Sequence, residues 1–218
     1  MNEDFSKLLS PFQFPVSGIH VDNRIVMAPM TTFSGNEDGT VSDDELSYYK
    51  ERNRGAGLLI SACAYVTPQG KAFPGQFSAY SDDMLPSLKR LAAALKENGG
   101  KAVLQIHHGG RMCPPELVPG SEPLSASAVA PVREGAVTPR EMTELEIEET
   151  IAAYGEAARR AVEAGFDGVE IHGANTYLIQ QFFSPHSNRR TDKWGGSLEK
   201  RMTFPLAVVD AVKAAVKK

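Results

Sequence analysis

The chain has 218 residues, of which 42% are hydrophobic and 23% are charged. This composition supports a buried core and excludes disordered, collagen-like and small disulfide-stapled proteins. The net charge of −4 comes from 23 basic and 27 acidic residues, and the basic residues are not gathered on one segment, so we predict no nucleic-acid partner and no membrane surface.

The sequence predicts a cytoplasmic protein. Only two cysteines occur, Cys63 and Cys113, so a reducing compartment is expected rather than a disulfide framework. No apolar run approaches the roughly 18–20 residues that a membrane helix needs. The polar start, MNED, lacks the charged and apolar regions of a signal peptide, so neither export nor anchoring is expected.

Four continuous apolar runs predict β-strands that are covered on both faces, at residues 24–28, 57–65, 101–106 and 168–172. A helical pattern follows each run. Helix starts are predicted from capping residues at Ser42 with Glu45, Asp82 with Asp83, Thr143 with Glu146, and Ser197. This alternation predicts one α/β domain over residues 1–218, made of four βα units.

Two segments depart from the alternation. Residues 10–23 contain two prolines and a Ser-Gly turn, which predicts a hairpin capping one end of the sheet. Residues 109–142 hold six of the fourteen prolines and no apolar periodicity. A loop this long within a domain is typical of a lid or binding element, and a disordered linker is the alternative.

Polar side chains follow each predicted strand, where ligand sites of parallel α/β proteins form. His172 and Asn175 are three residues apart, so one helical turn would aim both at a single acceptor oxygen. Tyr177 would then be a plausible proton donor. The alternative is that His172 ends a strand and Tyr177 packs beneath the lid.

Other chemistries are poorly supported by the motifs. His107 and His108 are consecutive on a strand and would face opposite sides, so no metal site is predicted. The sequence contains no Cys-x-x-Cys, no Gly-x-Gly-x-x-Gly and no P-loop pattern, which argues against a Rossmann cofactor or a Walker nucleotide site. A lyase or aldolase using Tyr177 as an acid is disfavoured because no lysine ends a core strand.

Four motifs carry a resemblance to a known family: NRIVMAPMTT from Asn23, VTPQGKAF from Val66, QIHHGGR from Gln105 and EIHGANTYLIQQFFSPHSNRRTDKWGGSLEKR from Glu170. In this order they resemble the old yellow enzymes, which are FMN-dependent NAD(P)H:ene reductases built on a TIM barrel. The resemblance runs from about Leu9 to the last residue. It implies a TIM-barrel fold, an FMN cofactor and NADH or NADPH as hydride donor.

The resemblance also implies roles for single residues. Pro29, Met30 and Thr31 would line the flavin, with the Thr31 hydroxyl donating to its O4 edge. Cys63 would occupy a position that the family keeps small, rather than act as a redox thiol. Gln105 would bond the pyrimidine edge of the ring.

On the substrate side, the resemblance implies that His172 and Asn175 grip a carbonyl oxygen and that Tyr177 protonates the neighbouring carbon. The expected activity is reduction of the C=C bond of α,β-unsaturated carbonyl compounds. Some relatives carry a second histidine in place of Asn175 and a cysteine in place of Thr31, which leaves the subgroup open.

A TIM barrel has eight βα units, so four units predict an N-terminal half-barrel. The resemblance places the phosphate cradle in the other half. The first and last strands would then be free edges, which predicts a homo-oligomer or a complementary half-barrel partner. The alternative function is a truncated half-barrel that assembles but lacks tight FMN binding and catalysis.

Overall fold

The computed structural model describes residues 5–216. The strands are β1 (Phe12–Gln13), β2 (His20–Val21), β3 (Val26–Met27), β4 (Leu58–Tyr65), β5 (Lys101–His107), β6 (Leu124–Ser125), β7 (Arg140–Glu141) and β8 (Gly168–Ile171). The helices are α1 (Asp43–Arg52), α2 (Leu85–Lys96), α3 (Glu144–Ala164), α4 (Leu178–Phe183) and α5 (Leu198–Val216).

The central sheet is parallel, with strand order β3-β4-β5-β8. These strands coincide with the four predicted apolar runs, so the prediction of a parallel α/β fold is confirmed. Helices α1, α2, α3 and α5 contact one another in chain order and form the layer that covers the sheet. Leu104 and Ile106 of β5 are fully buried in the core with this layer, so Gln105 between them faces the other side.

The predicted helix starts are partly right. Thr143 and Glu146 form a complete capping box at α3, because each side chain bonds the backbone of the other. Ser42 caps α1, but the Glu45 carboxylate does not return to the Ser42 backbone and instead accepts from the hydroxyls of Thr32 and Ser34. That carboxylate therefore ties the loop after β3 to α1.

The predicted cap at Asp82 is wrong. Residues Asp82–Met84 form a short 3-10 turn, and α2 begins at Leu85 without a side-chain cap. The Asp82 carboxylate instead pairs with the guanidinium groups of Arg159 and Arg160 on α3. These long-range ion pairs outweigh the local cap because two charged donors satisfy the carboxylate.

Residues 10–23 contain an antiparallel hairpin in which Phe12 pairs with Val21 and Gln13 with His20. The long segment 109–142 contains three 3-10 turns and the short strands β6 and β7, which pair with each other. The Arg190 guanidinium is buried and donates to the carbonyls of Ala126 (3.2 Å) and Met142 (2.7 Å). Part of the long fourth motif thus holds this segment in place.

Candidate active site

A cavity of about 550 Å³ lies at the carboxyl ends of the four parallel strands. Its volume is within the range of small-molecule and cofactor pockets. All eight site residues predicted from the sequence line it: Pro29, Met30, Thr31, Cys63, Gln105, His172, Asn175 and Tyr177. The structure therefore brings together residues that are up to 148 positions apart in the chain.

One wall of the cavity is a row across three strands. Cys63 is the register partner of Gln105, and Gln105 is the partner of Glu170. The register of β4 shifts between Ile60 and Cys63, which brings Cys63 rather than Ala62 into this row. The Gln105 amide donates to the Glu170 carboxylate at 2.7 Å, so the Gln105 carbonyl oxygen is left as an acceptor.

The Cys63 thiol is buried at the end of this row. Its sulfur lies 3.2 Å from the Thr31 hydroxyl oxygen and 3.2 Å from Nε2 of Gln76. Burial raises the pKa of the Cys63 thiol to about 11, so the group is protonated at neutral pH. A protonated thiol is a poor nucleophile, which favours a packing role over a redox role.

The segment from His172 to Tyr177 is not the helical turn that the spacing suggested. Asn175 and Thr176 both have left-handed backbone angles, with φ of 54° and 65°. This conformation is uncommon for a β-branched residue and costs of order 1–3 kcal/mol. Side chains of α4 hold it in place: Gln180 accepts from the Thr176 N–H, and Gln181 donates to the Thr176 carbonyl at 2.7 Å.

His172 presents a donor to the cavity. Its Nδ1 accepts a bond from the Ala174 N–H at 3.4 Å, which leaves Nε2 to carry the ring proton. Burial lowers the pKa of His172, so the imidazole is neutral near pH 7. The Asn175 side chain makes no hydrogen bond within residues 5–216, so its amide is a second free donor at the same cavity.

Three aromatic rings pack against the Tyr177 ring at nearly right angles. The ring centroids of His107, His172 and Phe73 lie 4.4, 5.0 and 6.2 Å from that of Tyr177, with interplanar angles between 79° and 88°. Burial raises the pKa of the Tyr177 phenol. The phenol therefore retains its proton at neutral pH and can donate it only to a strongly basic atom.

Sequence reasoning missed Phe73 and Glu170 as members of this cavity. Glu170 lies within the quoted motif EIHGANTY, and the period-two alternation of the strand would have placed it on the face that His172 shares. Phe73 comes from the loop after β4 and had no periodic signal. Its position depends on long-range packing against Phe33, with ring centroids 5.2 Å apart.

A flavin ring fits the chemistry of this cavity. The row offers a carbonyl acceptor on Gln105, and Thr31 offers a hydroxyl, which match the donor and acceptor groups along the edge of an isoalloxazine. Within residues 5–216, no group of three or more His, Cys, Asp or Glu side chains is placed to hold a metal ion. Nor does any helix in this range have the length and hydropathy for crossing a bilayer.

Comparison with known proteins decides the family. The profile of the NADH:flavin oxidoreductase / NADH oxidase family matches residues 7–218. The chain belongs to this family. It is 55% identical, over 215 residues, to the probable NADH-dependent flavin oxidoreductase YqiG of Bacillus subtilis strain 168, and the match covers 99% of this chain.

Two further matches agree with this assignment. The chain is 55% identical over 197 residues to an NADH:acrylate oxidoreductase of Vibrio harveyi, covering 90% of this chain. The solved structure of an old yellow enzyme homologue from Zymomonas mobilis superposes on 96% of this chain with a TM-score of 0.87 and 32% identity. The resemblance to old yellow enzymes is thereby confirmed.

The matches cover only part of each relative. The chain spans 57% of the Bacillus protein, 20% of the Vibrio protein and 60% of the Zymomonas structure. Family and fold are therefore established for residues 7–218.

Proposed function

We propose that this chain provides the substrate grip, the proton donor and one wall of the flavin pocket of an FMN-dependent ene reductase. The reaction would reduce the C=C bond of an α,β-unsaturated carbonyl compound, with NADH or NADPH as the hydride donor. The observation that carries the proposal is the convergence of His172, Asn175 and Tyr177 on the cavity that also holds Thr31, Cys63 and Gln105.

When bound, FMN supplies the hydride that is added to the alkene. On this chain, Thr31 and Gln105 would hold the polar edge of the ring, while Pro29 and Met30 would pack against it. Cys63 would leave room for the ring because its buried thiol is small and uncharged.

The substrate carbonyl would accept hydrogen bonds from Nε2 of His172 and from the Asn175 amide. Both donors are neutral N–H groups at the cavity, so they can stabilise the negative charge that develops on that oxygen. Tyr177 would then donate its phenolic proton to the carbon next to the carbonyl group. The segment 109–142 would act as a lid that excludes water.

A flavin titration of the purified chain tests the proposal. We expect added FMN to lose fluorescence and to change its visible spectrum as it enters the cavity, and Gln105→Leu to weaken this binding. Gln13→Leu, in the exposed hairpin, makes the same chemical change away from the cavity and should leave the binding unchanged. An unaltered FMN spectrum at every protein concentration would instead support the alternative function, a half-barrel that lacks tight FMN binding.

We also expect residues 1–218, produced alone, to self-associate. β3 and β8 are the outer strands of the central sheet, and Val26 of β3 is 52% exposed. Such edges have unpaired backbone groups that favour pairing with another chain. Light scattering after size exclusion should give a mass above that of one chain, and Val26→Lys should reduce it. One-chain mass over a wide dilution range would exclude this association.

A further inference from the structure

A single buried amide joins the flavin wall of the cavity to the substrate wall. Gln76 is 1% exposed, and its side chain reaches both Cys63 and His107. Its Nε2 lies 3.2 Å from the sulfur of Cys63 and 3.2 Å from Nδ1 of His107. Neither Gln76 nor His107 lines the cavity, so any effect they have on the chemistry must pass through a neighbour.

The orientation of the Gln76 amide follows from two backbone contacts. Its Oε1 lies 2.8 Å from the backbone nitrogen of Ala72, and its Nε2 lies 3.1 Å from the carbonyl oxygen of Cys63. Exchanging the two ends would set an oxygen against an oxygen and a donor against a donor. The NH₂ group of Gln76 must therefore face His107.

This orientation determines the proton position on His107. Because the Gln76 NH₂ group donates, Nδ1 of His107 must accept, and the ring proton must sit on Nε2. The ring is fully enclosed by protein, and burial lowers its pKa well below the usual range, with the neighbouring rings of His172 and His108 adding to the effect. His107 is thus a neutral imidazole in one tautomer.

His107 is also the nearest ring to the predicted proton donor. The centroid of its ring lies 4.4 Å from that of Tyr177 at an interplanar angle of 82°, closer than His172 at 5.0 Å. Nε2 of His107 is buried and has no hydrogen-bond partner within the described residues. The two rings are nearly perpendicular, which is an arrangement that aromatic pairs favour.

We propose that Gln76 and His107 are positioning residues for Tyr177, with the Gln76 amide fixing the His107 tautomer and the His107 ring holding the phenol ring in its perpendicular packing. The proposal rests on the proposed function of Tyr177 as proton donor. The same amide also contacts Cys63. One side chain therefore links Cys63, on the flavin wall, to the ring that packs against Tyr177, on the substrate wall.

NMR of the chain with ¹⁵N-labelled histidine rings tests the His107 tautomer in the absence of any cofactor. We expect the His107 signals, assigned by their loss in His107→Asn, to show a bare Nδ1 and a protonated Nε2. His108 provides an internal reference, since its Nδ1 accepts from the Gly110 N–H at 3.0 Å. A proton on Nδ1 of His107 in the unmodified chain would overturn the proposal.

Two substitutions of Gln76 extend the test. Gln76→Glu offers only acceptors once its carboxyl group is ionised, so at a pH above the pKa of that carboxyl group it should move the His107 proton to Nδ1 and leave His108 unchanged. Gln76→Leu should shift the NMR signals of the Tyr177 ring in labelled protein. Gln69→Leu makes the same change in the 3-10 turn Pro68–Gly70 and should leave those signals unchanged. Retention of the original tautomer in Gln76→Glu, or unmoved Tyr177 signals in Gln76→Leu, would exclude the positioning role.

Kinetics of the FMN-loaded enzyme separate this proposal from the proposed function. Misplacing a catalytic group by about 1 Å can cost about 10²-fold in rate, so Gln76→Leu should slow substrate reduction about 10- to 100-fold. It should add nothing to Tyr177→Phe in the double variant, and full additivity would refute positioning. If Tyr177→Phe alone has no effect, the proposed function fails, while the NMR result still decides the Gln76–His107 contact.

Discussion

Replacing Tyr177 by phenylalanine is expected to slow the reduction of an enone substrate by about 10²–10⁴-fold, which is the usual contribution of one positioned acid. The phenol is half-buried and burial raises its pKa, so it is protonated at neutral pH and can serve as a donor. Stopped-flow traces of the FMN-loaded enzyme should show the loss in substrate reduction, while reduction of the bound flavin by NADH proceeds largely as before.

The phenylalanine variant keeps the ring that packs against His107, so the fold around the cavity should be unchanged. Tyr80→Phe changes an exposed phenol that stacks on Tyr65 and does not line the cavity, so it provides a matched control that should retain both half-reactions. Equal slowing of flavin reduction and substrate reduction in Tyr177→Phe would show that Tyr177 is not the acid.

Removal of His172 and Asn175, the two proposed hydrogen-bond donors to the substrate carbonyl oxygen, is expected to have the second-largest effect on the site. A hydrogen bond to a charged group contributes about 1.5–3 kcal/mol, so each of His172→Ala and Asn175→Ala should weaken the binding of a phenolate about 10- to 100-fold. In the flavin-loaded enzyme, the long-wavelength absorbance band of bound phenolate should fade accordingly. Because His172 is neutral near pH 7, this loss should not depend on pH between 7 and 8.

The exposed hairpin offers a control for these variants. His20→Ala removes an imidazole from β2, remote from the cavity lining, and should leave phenolate binding intact. Unchanged phenolate affinity in the His172→Ala/Asn175→Ala double variant would mean that the pair does not grip the carbonyl. The effects of the two single substitutions should be non-additive, since both donors act on one oxygen.

Much of the fold could be predicted from the sequence because its signals are local. Continuous apolar runs such as residues 101–106 mark strands that need cover on both sides, and the spacing of Thr143 and Glu146 marks a helix start. Both features depend on neighbours along the chain. The candidate site residues were also predicted, since polar side chains gather where parallel strands end and the motifs resemble a flavin family.

The local backbone of the site could not be predicted from spacing. The spacing of three positions from His172 to Asn175 suggested a helical turn, yet Asn175 and Thr176 adopt left-handed angles. Gln180 and Gln181 of α4 stabilise this turn through hydrogen bonds to the Thr176 backbone, and no pattern within the turn itself predicts those bonds. Asp82 shows the same limit, because ion pairs with α3 replaced the local cap.

By itself, the sequence determined the order of the four core strands, the family and eight of the side chains that line the cavity, because periodicity, capping residues and motifs lie within short stretches of chain. Only the tertiary structure decided how those side chains meet. The register shift that brings Cys63 beside Gln105, and the amide of Gln76 that reaches both Cys63 and His107, join residues 42 and 31 positions apart. Such contacts depend on how strands pair and pack, and no local propensity encodes them.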